Sequence, residues 1–342
     1  MKHIRNLIDD ESLNLVCSQI DFKKFAGKKI LITGGTGMVG SYLAEAIIRG
    51  AQLQGINFTE LKITGRTIPL EVSQRLSGYK NVNLIADSLE DLSFTGHYQV
   101  IFHLASPASP TQYSDLETLL RINSGCLVNL ISESTEKFVF MSTGEVYGNR
   151  EDLLCEDSHG IFEKHTPRDW YPYSKLKGET TSKELCTAIN SDVNIVRLFH
   201  TFGPGVRRND GRSFADFLYS AAQGNLPKLH SDGTALRTFL FSADAVNAIL
   251  AIATCGVNLA TYNVGGDSPI SILDFAKRVS SIAGLNEKVS FDSKNAEGLM
   301  QSPNRALIPN LEKISGLGWK IRTTLDESID KTLQYIRENN TR

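Results

Sequence analysis

The sequence lacks an apolar run of the roughly 18–20 residues that a helix needs to cross a bilayer. It also lacks an excess of charge: its formal net charge is −2, whereas nucleic-acid surfaces usually carry a basic excess. Residues 1–10 include charges but no apolar segment followed by a small-residue cleavage site, so no secretory signal is expected. The sequence therefore predicts neither a membrane nor a nucleic-acid partner.

Closely spaced cysteines are also missing. The five that are present are scattered, odd in number and without C-x-x-C spacing, which argues against a disulfide framework and a zinc knuckle. We therefore expect no metal site and a cytoplasmic, reducing location. What is present, 41% hydrophobic and 22% charged residues, is typical of a folded globular protein.

Short apolar runs alternate with helical patterns over the first 200 residues. Because strands that are apolar on both faces need a helical layer on each side, this alternation predicts an α/β fold with a Rossmann-type, doubly wound parallel sheet. The helical patterns cover Met38–Arg49, Asp115–Glu133 and Ser174–Ile189. The expected strands are Lys29–Thr33, Leu61–Thr64, Val82–Ile85, Val100–Leu104, Phe138–Met141 and Asn194–Leu198.

The pattern also predicts how the chain divides into domains. Residues 1–26 are expected to form an N-terminal helical extension, since apolar positions recur there at roughly helical spacing. Residues 27–198 plus about 231–265 are expected to form the dinucleotide-binding Rossmann domain. Glycine, proline, asparagine and arginine become more frequent after residue 199, which predicts a smaller C-terminal substrate-binding lobe from about 199–230 plus 266–342.

A glycine-rich segment joins the first predicted strand to the first helix after it. Residues 35–40 read Gly-Thr-Gly-Met-Val-Gly, a match to G-x-G-x-x-G. The glycines permit a tight turn and close backbone approach to a pyrophosphate, and the helix N-terminus attracts phosphate. The segment therefore predicts a nicotinamide dinucleotide site, with contacts from Gly34, Gly37, Met38, Val39 and Gly40.

The end of the second strand normally decides between NAD and NADP, because a carboxylate there binds the ribose 2′-hydroxyl. This chain has Thr64-Gly65-Arg66 at that place, and Glu60 lies at the opposite end of the strand. Arg66 could pair with a 2′-phosphate, although it could also be a solvated surface charge. The expected cofactor is NAD or NADP, and Arg66 together with the missing acid at Gly65 favours NADP.

Tyr171 and Lys175 are four residues apart and are expected on one face of a helix. A phenol is a poor base at neutral pH, but a nearby ammonium and an oxidised nicotinamide would stabilise the phenolate. Thr143 follows a predicted strand at the carboxyl edge of the sheet, where its hydroxyl could share a substrate proton with Tyr171. These three residues predict catalysis on a substrate hydroxyl.

These motifs together resemble the extended short-chain dehydrogenase/reductases that modify nucleotide sugars, the NAD-dependent epimerase/dehydratase family. The resemblance runs from about Lys28 to the C-terminus and implies a nucleoside-diphosphate sugar as the substrate. It implies that Tyr171 is the catalytic base, that Lys175 orients it and holds the nicotinamide ribose, and that Thr143 helps to deprotonate the sugar 4-hydroxyl. The matching segments are Thr33–Gly40, Asp87, His103–Ala105, Asn123, Ser142–Gly148, Tyr171 with Lys175, and Arg197–Pro204.

The same resemblance implies further cofactor contacts and an assembly. Asp87 and Ser88 would meet the adenine, and the dinucleotide would be lined by Leu104, Ala105, Ser106 and Asn123. Members of the family commonly form homodimers through a four-helix bundle, which here would include the two helices expected at 115–133 and 174–189.

Within this family the chain looks most like the UDP-glucuronate decarboxylases, on the residues 103–110, 202–204 and 209–212. Those enzymes oxidise C4 by hydride transfer, lose the C5 carboxylate and then reduce the ketone. The likeness implies that Glu145 acts as a general base or steers a carboxylate, and that Arg237 faces the substrate diphosphate. The expected substrate contacts are Ser106, Pro107, Glu145, His200, Arg212, Arg237 and Arg305. His200 could instead be a structural histidine, and Arg212 could be a solvated loop charge.

Three departures from the decarboxylase pattern leave alternatives open. Gly144 replaces a side chain that could donate a proton, His200 replaces an asparagine, and Gly65 replaces an aspartate. A nucleotide-sugar 4-epimerase and an NADPH-dependent 4-ketoreductase are the alternative activities, and the missing donor argues most against a 4,6-dehydratase. A protein of a different class, a dinucleotide-binding sensor without turnover, would have no use for an intact Thr143, Tyr171 and Lys175.

Overall fold

The computed structural model describes residues 10–87, 89, 97–110, 115–150, 152–161, 166–292 and 305–339. Seven of the strands in these residues form one central sheet, and the other strands form small sheets of two or three. The strands are β1 (Lys29–Thr33), β2 (Glu60–Gly65), β3 (Val82–Ala86), β4 (Val100–His103), β5 (Lys137–Thr143), β6 (Asp192–Leu198), β7 (Thr201–Phe202), β8 (Lys228–Leu229), β9 (Leu236–Arg237), β10 (Leu240–Phe241), β11 (Thr261–Val264), β12 (Ile270–Ser271), β13 (Ser290–Phe291) and β14 (Ala306–Leu307).

Eleven α-helices lie within the described residues. They are α1 (Asp10–Cys17), α2 (Met38–Leu53), α3 (Leu70–Leu76), α4 (Leu116–Leu120), α5 (Leu127–Leu130), α6 (Pro167–Ala188), α7 (Ser213–Ala222), α8 (Ser242–Cys255), α9 (Ile272–Ile282), α10 (Glu312–Ser315) and α11 (Leu325–Asn339). None of these helices is both long and apolar enough to cross a membrane.

The central sheet has the strand order β11-β6-β5-β4-β1-β2-β3, and each neighbouring pair is parallel. The chain moves from β1 outward to β3 and then crosses back to β4, so the order reverses between β1 and β4. In sheets of this kind, ligands bind outside the carboxyl ends of the strands at that reversal. The Rossmann-type fold expected from the sequence is confirmed.

Helices cover both faces of the sheet, as the apolar strands require. In β1, Ile30 and Ile32 pack with residues of α2 and α8 such as Leu43 and Ile249, whereas Leu31 points to the opposite face. That second face packs against α5 and α6. Alternating side chains of one strand therefore enter two separate cores, because successive residues of a strand point in opposite directions.

The predicted strands are all present, but one strand of the sheet was not foreseen. Strand β11, whose sequence is Thr-Tyr-Asn-Val, is fully buried beside β6. Its asparagine and threonine break the apolar pattern that the prediction relied on. Asn263 is accommodated because its side chain donates to the Leu154 carbonyl at 2.7 Å and accepts from the Tyr147 hydroxyl at 2.6 Å.

Two helices differ from their expected limits. Helix α6 begins at residue 167, before the expected residue 174, because Thr166 and Asp169 form a capping box and Pro167 occupies the first turn. The helix expected over 115–133 ends at residue 130 and includes a π-helical segment, Arg121–Gly125, between α4 and α5. This segment places Asn123 in the interior.

The N-terminal extension is helical from residue 10, and residues 1–9 lie outside the described part of the chain. Helix α1 packs against α2 and α8, the Asn247 side chain donates to the Val16 carbonyl at 3.2 Å, and Lys331 donates to Ser12 at 3.0 Å.

A separate apolar cluster, which includes Phe214, forms between α7, α9 and α11. The division into extension, dinucleotide domain and substrate lobe stays a prediction.

Candidate active site

A cavity of about 630 Å³ lies at the carboxyl edge of the central sheet, where β1, β2, β4, β5 and β6 end. Its walls come from the sheet and from the 205–214 segment that leads into α7. Most of the predicted site residues line it, namely Gly34, Gly37, Met38, Val39, Gly40, Arg66, Asp87, Leu104, Ala105, Ser106, Pro107, Thr143, Glu145, Tyr171, Lys175 and Arg212. The tertiary structure thus brings these distant residues into one site.

The glycine turn is packed too closely for side chains. Gly34 has a φ of +68°, and a Cβ there would lie 2.6 Å from the Ala105 nitrogen. A Cβ on Gly40 would meet the Gly34 carbonyl oxygen. Helix α2 starts directly after this turn and has no side-chain cap, so its first N–H groups suit a phosphate.

The end of β2 forms the part of the cavity that would hold an adenosine ribose. Arg66 is exposed and lines the cavity with Gly65, Thr67 and Asp87. A Cβ at residue 65 would meet the Thr36 hydroxyl, so a longer side chain there would require Thr36 to move. Glu60 lies at the far end of β2, as expected, where it accepts from Asn83 at 2.9 Å. Ser88, the second residue predicted to meet the adenine, lies outside the described residues.

Tyr171 and Thr143 meet inside the cavity. Tyr171 is 6% exposed and is carried by α6, and Thr143 is the last residue of β5. Burial raises the pKa of the Tyr171 phenol, and Glu145 raises it further. Arg212, a hydrogen bond with Thr143, and Arg168 all lower that pKa. The phenol therefore depends on arginine charges and on Thr143 for its acidity before any cofactor is bound.

Lys175 lies deeper than the sequence suggested. Its ammonium donates to the Met141 carbonyl at 2.8 Å and lies 5.1 Å from the centre of the Phe140 ring. Burial lowers its pKa from 10.5 to about 7, while Cys126 and Glu179 act in the opposite direction. The group is thus held beside the end of β5, where it lines the cavity with Thr143 and Tyr171.

The depressed pKa of Lys175 leads to a prediction about stability. Between about pH 7 and pH 10.5 the folded protein has released this proton, whereas the unfolded chain still binds it. The contribution of Lys175 to stability therefore rises with pH across this window, because this group binds a proton there only in the unfolded state. We expect the Lys175→Met variant to lose this rise when unfolding free energies are measured by denaturant titration. An equally steep rise in the variant would show that other groups cause it.

Asn123 lies behind the cavity wall rather than in it. Its side chain accepts from the Ser106 hydroxyl at 2.8 Å and donates to the Ser174 hydroxyl at 2.9 Å. Ser174 in turn donates to the Tyr171 carbonyl at 2.7 Å. Asn123 therefore links the loop after β4 to helix α6, and in this structure it supports the cavity lining without belonging to it.

Charged residues surround the end of the cavity beyond Thr143. Glu145 lines the cavity and forms an ion pair of 2.6 Å with Arg168. Arg212 makes two hydrogen bonds to Asp210, at 2.5 and 2.8 Å, and its guanidinium lies 5.2 Å from the Phe214 ring centre. This region therefore combines two carboxylates, Glu145 and Asp210, with several guanidinium groups, which suit an anionic substrate group.

Three further predicted substrate residues lie outside the lining. His200 contacts the Phe214 and Phe239 rings edge-on, and burial together with three nearby arginines holds its pKa well below the usual value. Arg237, one of those arginines, is buried and donates to the Leu236 carbonyl at 2.7 Å. Arg305 is exposed. His200 and Arg237 thus flank the charged end, whereas Arg305 lies at the surface.

The ring of Phe199 explains the glycine at position 144. A Cβ on Gly144 would lie 2.7 Å from this ring, and Phe199 itself lines the cavity. The space that a proton-donating side chain would need is therefore occupied by an aromatic ring. Packing against Phe199 thus accounts for a glycine at position 144, where the decarboxylases carry a proton-donating side chain.

A buried ion pair behind the site was not identified from the sequence. Arg197 of β6 donates twice to Glu179 of α6, at 3.0 and 2.8 Å, and Ser142 donates to the same carboxylate at 2.5 Å. Arg197 also donates to the Glu156 carbonyl at 2.9 Å and lies over the Tyr147 ring. Helical spacing could have indicated Glu179, because it follows Lys175 by four residues and therefore lies on the same face of α6.

Arg168 was also not identified from the sequence. It precedes Tyr171 by three residues on α6, so it projects from the same side of the helix. No local pattern indicated its partner, because Glu145 lies 23 positions away.

The sheet, its glycine turn at the strand reversal, and the threonine, tyrosine and lysine at its carboxyl edge define a class of protein. The chain belongs to the NAD dependent epimerase/dehydratase family, whose model matches residues 30–265. This confirms the family expected from the motifs and supports a cofactor of the NAD type.

Individual relatives show which activities within this family the chain resembles. It is 31% identical to UDP-glucuronic acid decarboxylase 1 of Xenopus tropicalis over 91% of this chain and 72% of the relative. It is 28% identical to a UDP-N-acetyl-alpha-D-glucosaminuronate decarboxylase of Bacillus cytotoxicus, over 91% of this chain and 98% of that protein. The expected likeness to decarboxylases of nucleotide uronates is confirmed.

The fold itself is similar to that of solved enzymes. The UDP-glucose 4-epimerase of Thermotoga maritima, solved with UDP-glucose, superposes with a TM-score of 0.76 at 20% identity. The match covers 91% of this chain and 99% of the epimerase. At this identity, the comparison concerns the fold.

Proposed function

We propose that this protein oxidises C4 of a nucleoside-diphosphate sugar and that its substrate is a uronate, as in the UDP-glucuronate decarboxylases. One observation carries the proposal: Thr143, Glu145, Tyr171 and Lys175 line the same cavity as the glycine turn. A sugar hydroxyl beside Tyr171 would therefore lie in one space with the dinucleotide. The two decarboxylase relatives, both named for uronate substrates, support the choice of sugar.

The residues at the sheet edge fit an NAD-type cofactor. The turn at Gly34 and Gly40 leaves room only for backbone, and the uncapped N-terminus of α2 would hold the pyrophosphate. Asp87 would meet the adenosine, and Lys175 would reach the nicotinamide ribose. When bound, the nicotinamide supplies the hydride acceptor and later the hydride donor.

The chain's own groups would handle the proton. Tyr171 would take the proton from the sugar 4-hydroxyl, since its oxygen shares a hydrogen bond with Thr143 inside the cavity. Thr143 would fix the position of that hydroxyl. Glu145 would lie near the C5 substituent, where its charge would steer a carboxylate or accept a proton.

A panel of sugar nucleotides tests the proposed reaction. The protein is incubated with UDP-glucuronate, UDP-glucose, dTDP-glucose and GDP-mannose, with NAD and separately with NADPH, and the products are identified by mass spectrometry. Loss of carbon dioxide from UDP-glucuronate is the expected result. Unchanged UDP-glucuronate together with conversion of a neutral sugar would contradict the uronate assignment.

A 4-ketoreductase that consumes NADPH is the second candidate, and Arg66 is the observation that favours it. We propose a preference for NADP, since Arg66 is exposed in the cavity and residue 65 carries no acid. Mass spectrometry of the denatured purified protein will identify any dinucleotide that stays bound. Retained NAD would favour the self-recycling decarboxylase over the reductase.

Replacing Arg66 tests the cofactor preference. We expect Arg66→Ala to weaken NADPH binding by about tenfold or more and to leave NADH binding within about twofold, because the lost charge–phosphate pair is worth roughly 1.5–3 kcal/mol. Nicotinamide fluorescence titration measures both affinities without any sugar. Arg121→Ala, a change in the π-helical segment outside the cavity lining, is the control. Equal losses for the two cofactors would contradict the assignment.

Two further expectations stay proposals. We propose a homodimer formed through α4, α5 and residues 174–188 of α6, and Val128 of α5 is 59% exposed. Analytical ultracentrifugation would test it. A cytoplasmic location is proposed on the scattered cysteines alone.

A further inference from the structure

Arg168 joins the two elements that carry the reacting groups. It lies in the first turn of α6, the helix that carries Tyr171 and Lys175. Its guanidinium donates to the Glu145 carboxylate at 2.6 Å, and the two side chains are only 13% and 17% exposed. Glu145 belongs to the 3₁₀ turn, Gly144–Tyr147, that follows Thr143.

Glu145 contacts the cavity directly, whereas Arg168 acts from behind it. The carboxylate lines the cavity, and Arg168 does not. The backbone N–H of Glu145 donates to the Thr143 hydroxyl oxygen at 3.2 Å, so the turn, the threonine and the carboxylate form one unit. Arg168 fixes that unit to α6 because a charge-assisted hydrogen bond in a largely buried place is strong and directional.

The charges around Tyr171 give this ion pair a second effect. Burial and then Glu145 raise the pKa of the phenol, whereas Arg212 and Arg168 lower it. Arg212 is already engaged with Asp210 at 2.5 Å. Without Arg168, the carboxylate that raises the pKa of the phenol would lose the guanidinium that pairs with it at 2.6 Å.

We propose that Arg168 is a positioning residue: it holds the Glu145 carboxylate at a fixed place beside Tyr171 and balances its charge, so that the phenol can lose its proton next to a carboxylate. The inference rests on the proposed function only in taking Tyr171 as the base. It concerns the acidity of one phenol and can be tested without any sugar substrate.

Nitration by tetranitromethane measures that acidity, because the reagent modifies the phenolate form of tyrosine. The full-length protein and the Arg168→Met, Arg168→Lys, Glu145→Gln and Arg168→Met/Glu145→Gln variants are modified at one mildly alkaline pH. Mass spectrometry then gives the nitration rate of Tyr171. Tyr173, 55% exposed on the same helix, is the internal reference for folding and reagent activity.

The charge balance predicts a definite order of rates. Relative to Tyr173, nitration of Tyr171 should slow about tenfold or more in Arg168→Met, which corresponds to one pKa unit or more. Arg168→Lys should remain within about threefold of the parent, Glu145→Gln should be faster, and the double variant should return toward the parent rate. A misfolded site would instead expose Tyr171 and speed its nitration in Arg168→Met, because burial is the main cause of the raised pKa of this phenol.

The proposal would be overturned if Tyr171 were nitrated at the same rate in the parent and in all four variants, or in none of them. A double variant that is nitrated as slowly as Arg168→Met would also overturn it. Failure of the sugar panel would leave these rates unaffected. The proposed reaction and the role of Arg168 can therefore fail separately.

Discussion

Replacing Tyr171 by phenylalanine is expected to lower kcat by about 10²–10⁴-fold, the usual contribution of a general base. The change removes one oxygen from a residue that is 6% exposed and keeps the ring in place. The hydroxyl of the sugar would then have no group to accept its proton. The rate is measured on the sugar nucleotide that the panel shows to be converted, with UDP-glucuronate as the first probe.

Cofactor binding separates a chemical effect from a structural one. NADH affinity should stay within about threefold of the parent, because the glycine turn and Lys175 are unaltered. Tyr173→Phe is the matched control, since this tyrosine lies two residues further along α6 and is 55% exposed. Turnover by Tyr171→Phe at the rate of Tyr173→Phe would remove Tyr171 from the mechanism.

Replacing Arg197 by methionine is expected to destabilise the protein by about 3–5 kcal/mol, the usual cost of leaving one buried charge without its partner. Glu179 is 5% exposed and accepts two hydrogen bonds from Arg197. Methionine would leave this carboxylate with Ser142 as its remaining donor among the side-chain contacts described above. Urea denaturation followed by circular dichroism measures the loss.

A double change identifies the cause of that loss. Arg197→Met/Glu179→Leu removes both charges and should be more stable than Arg197→Met alone, since an apolar pair can replace a buried ion pair at little cost. Arg278→Met is a control, because its partner Asp326 and Arg278 itself are about half exposed. If Arg197→Met and Arg278→Met lower the free energy of unfolding equally, the buried ion pair contributes no more than a surface pair.

The Arg197–Glu179 pair also bears on the geometry of the site. Ser142 donates to Glu179 and immediately precedes Thr143, while Glu179 follows Lys175 by one turn of α6. The ion pair thus fixes the end of β5 against the helix. Any loss of stability in Arg197→Met should therefore accompany a lower turnover rate.

The sequence located the central strands and the glycine turn because each carries a local signal. Apolar runs such as 29–33 and 138–141 lie in strands β1 and β5, and Gly34 with Gly40 gives the turn its close packing. Strand β11 was missed because its buried polar side chains are satisfied by distant partners. The early start of α6 was marked by the local Thr166–Asp169 capping pair, which the prediction did not use.

The active-site residues were foreseen where a motif names them, and the tertiary structure then decided how they work together. Thr143, Tyr171 and Lys175 line one cavity as expected, but Lys175 turns toward the Met141 carbonyl. Burial and Glu145 raise the pKa of the phenol, and Arg212 and Arg168 oppose that rise. No local pattern could reveal this, since electrostatic effects depend on distance and burial in the folded chain.

The α/β fold and the cofactor turn were predictable from the sequence alone, because hydrophobic period and glycine spacing act over a few residues. The family was predictable from the resemblance of the motifs. Only the tertiary structure paired Glu145 with Arg168 and Glu179 with Arg197, across 23 and 18 positions. It also filled the space beside Gly144 with Phe199. Such contacts are set by which elements pack together, and the charges at the site take their strength from that burial.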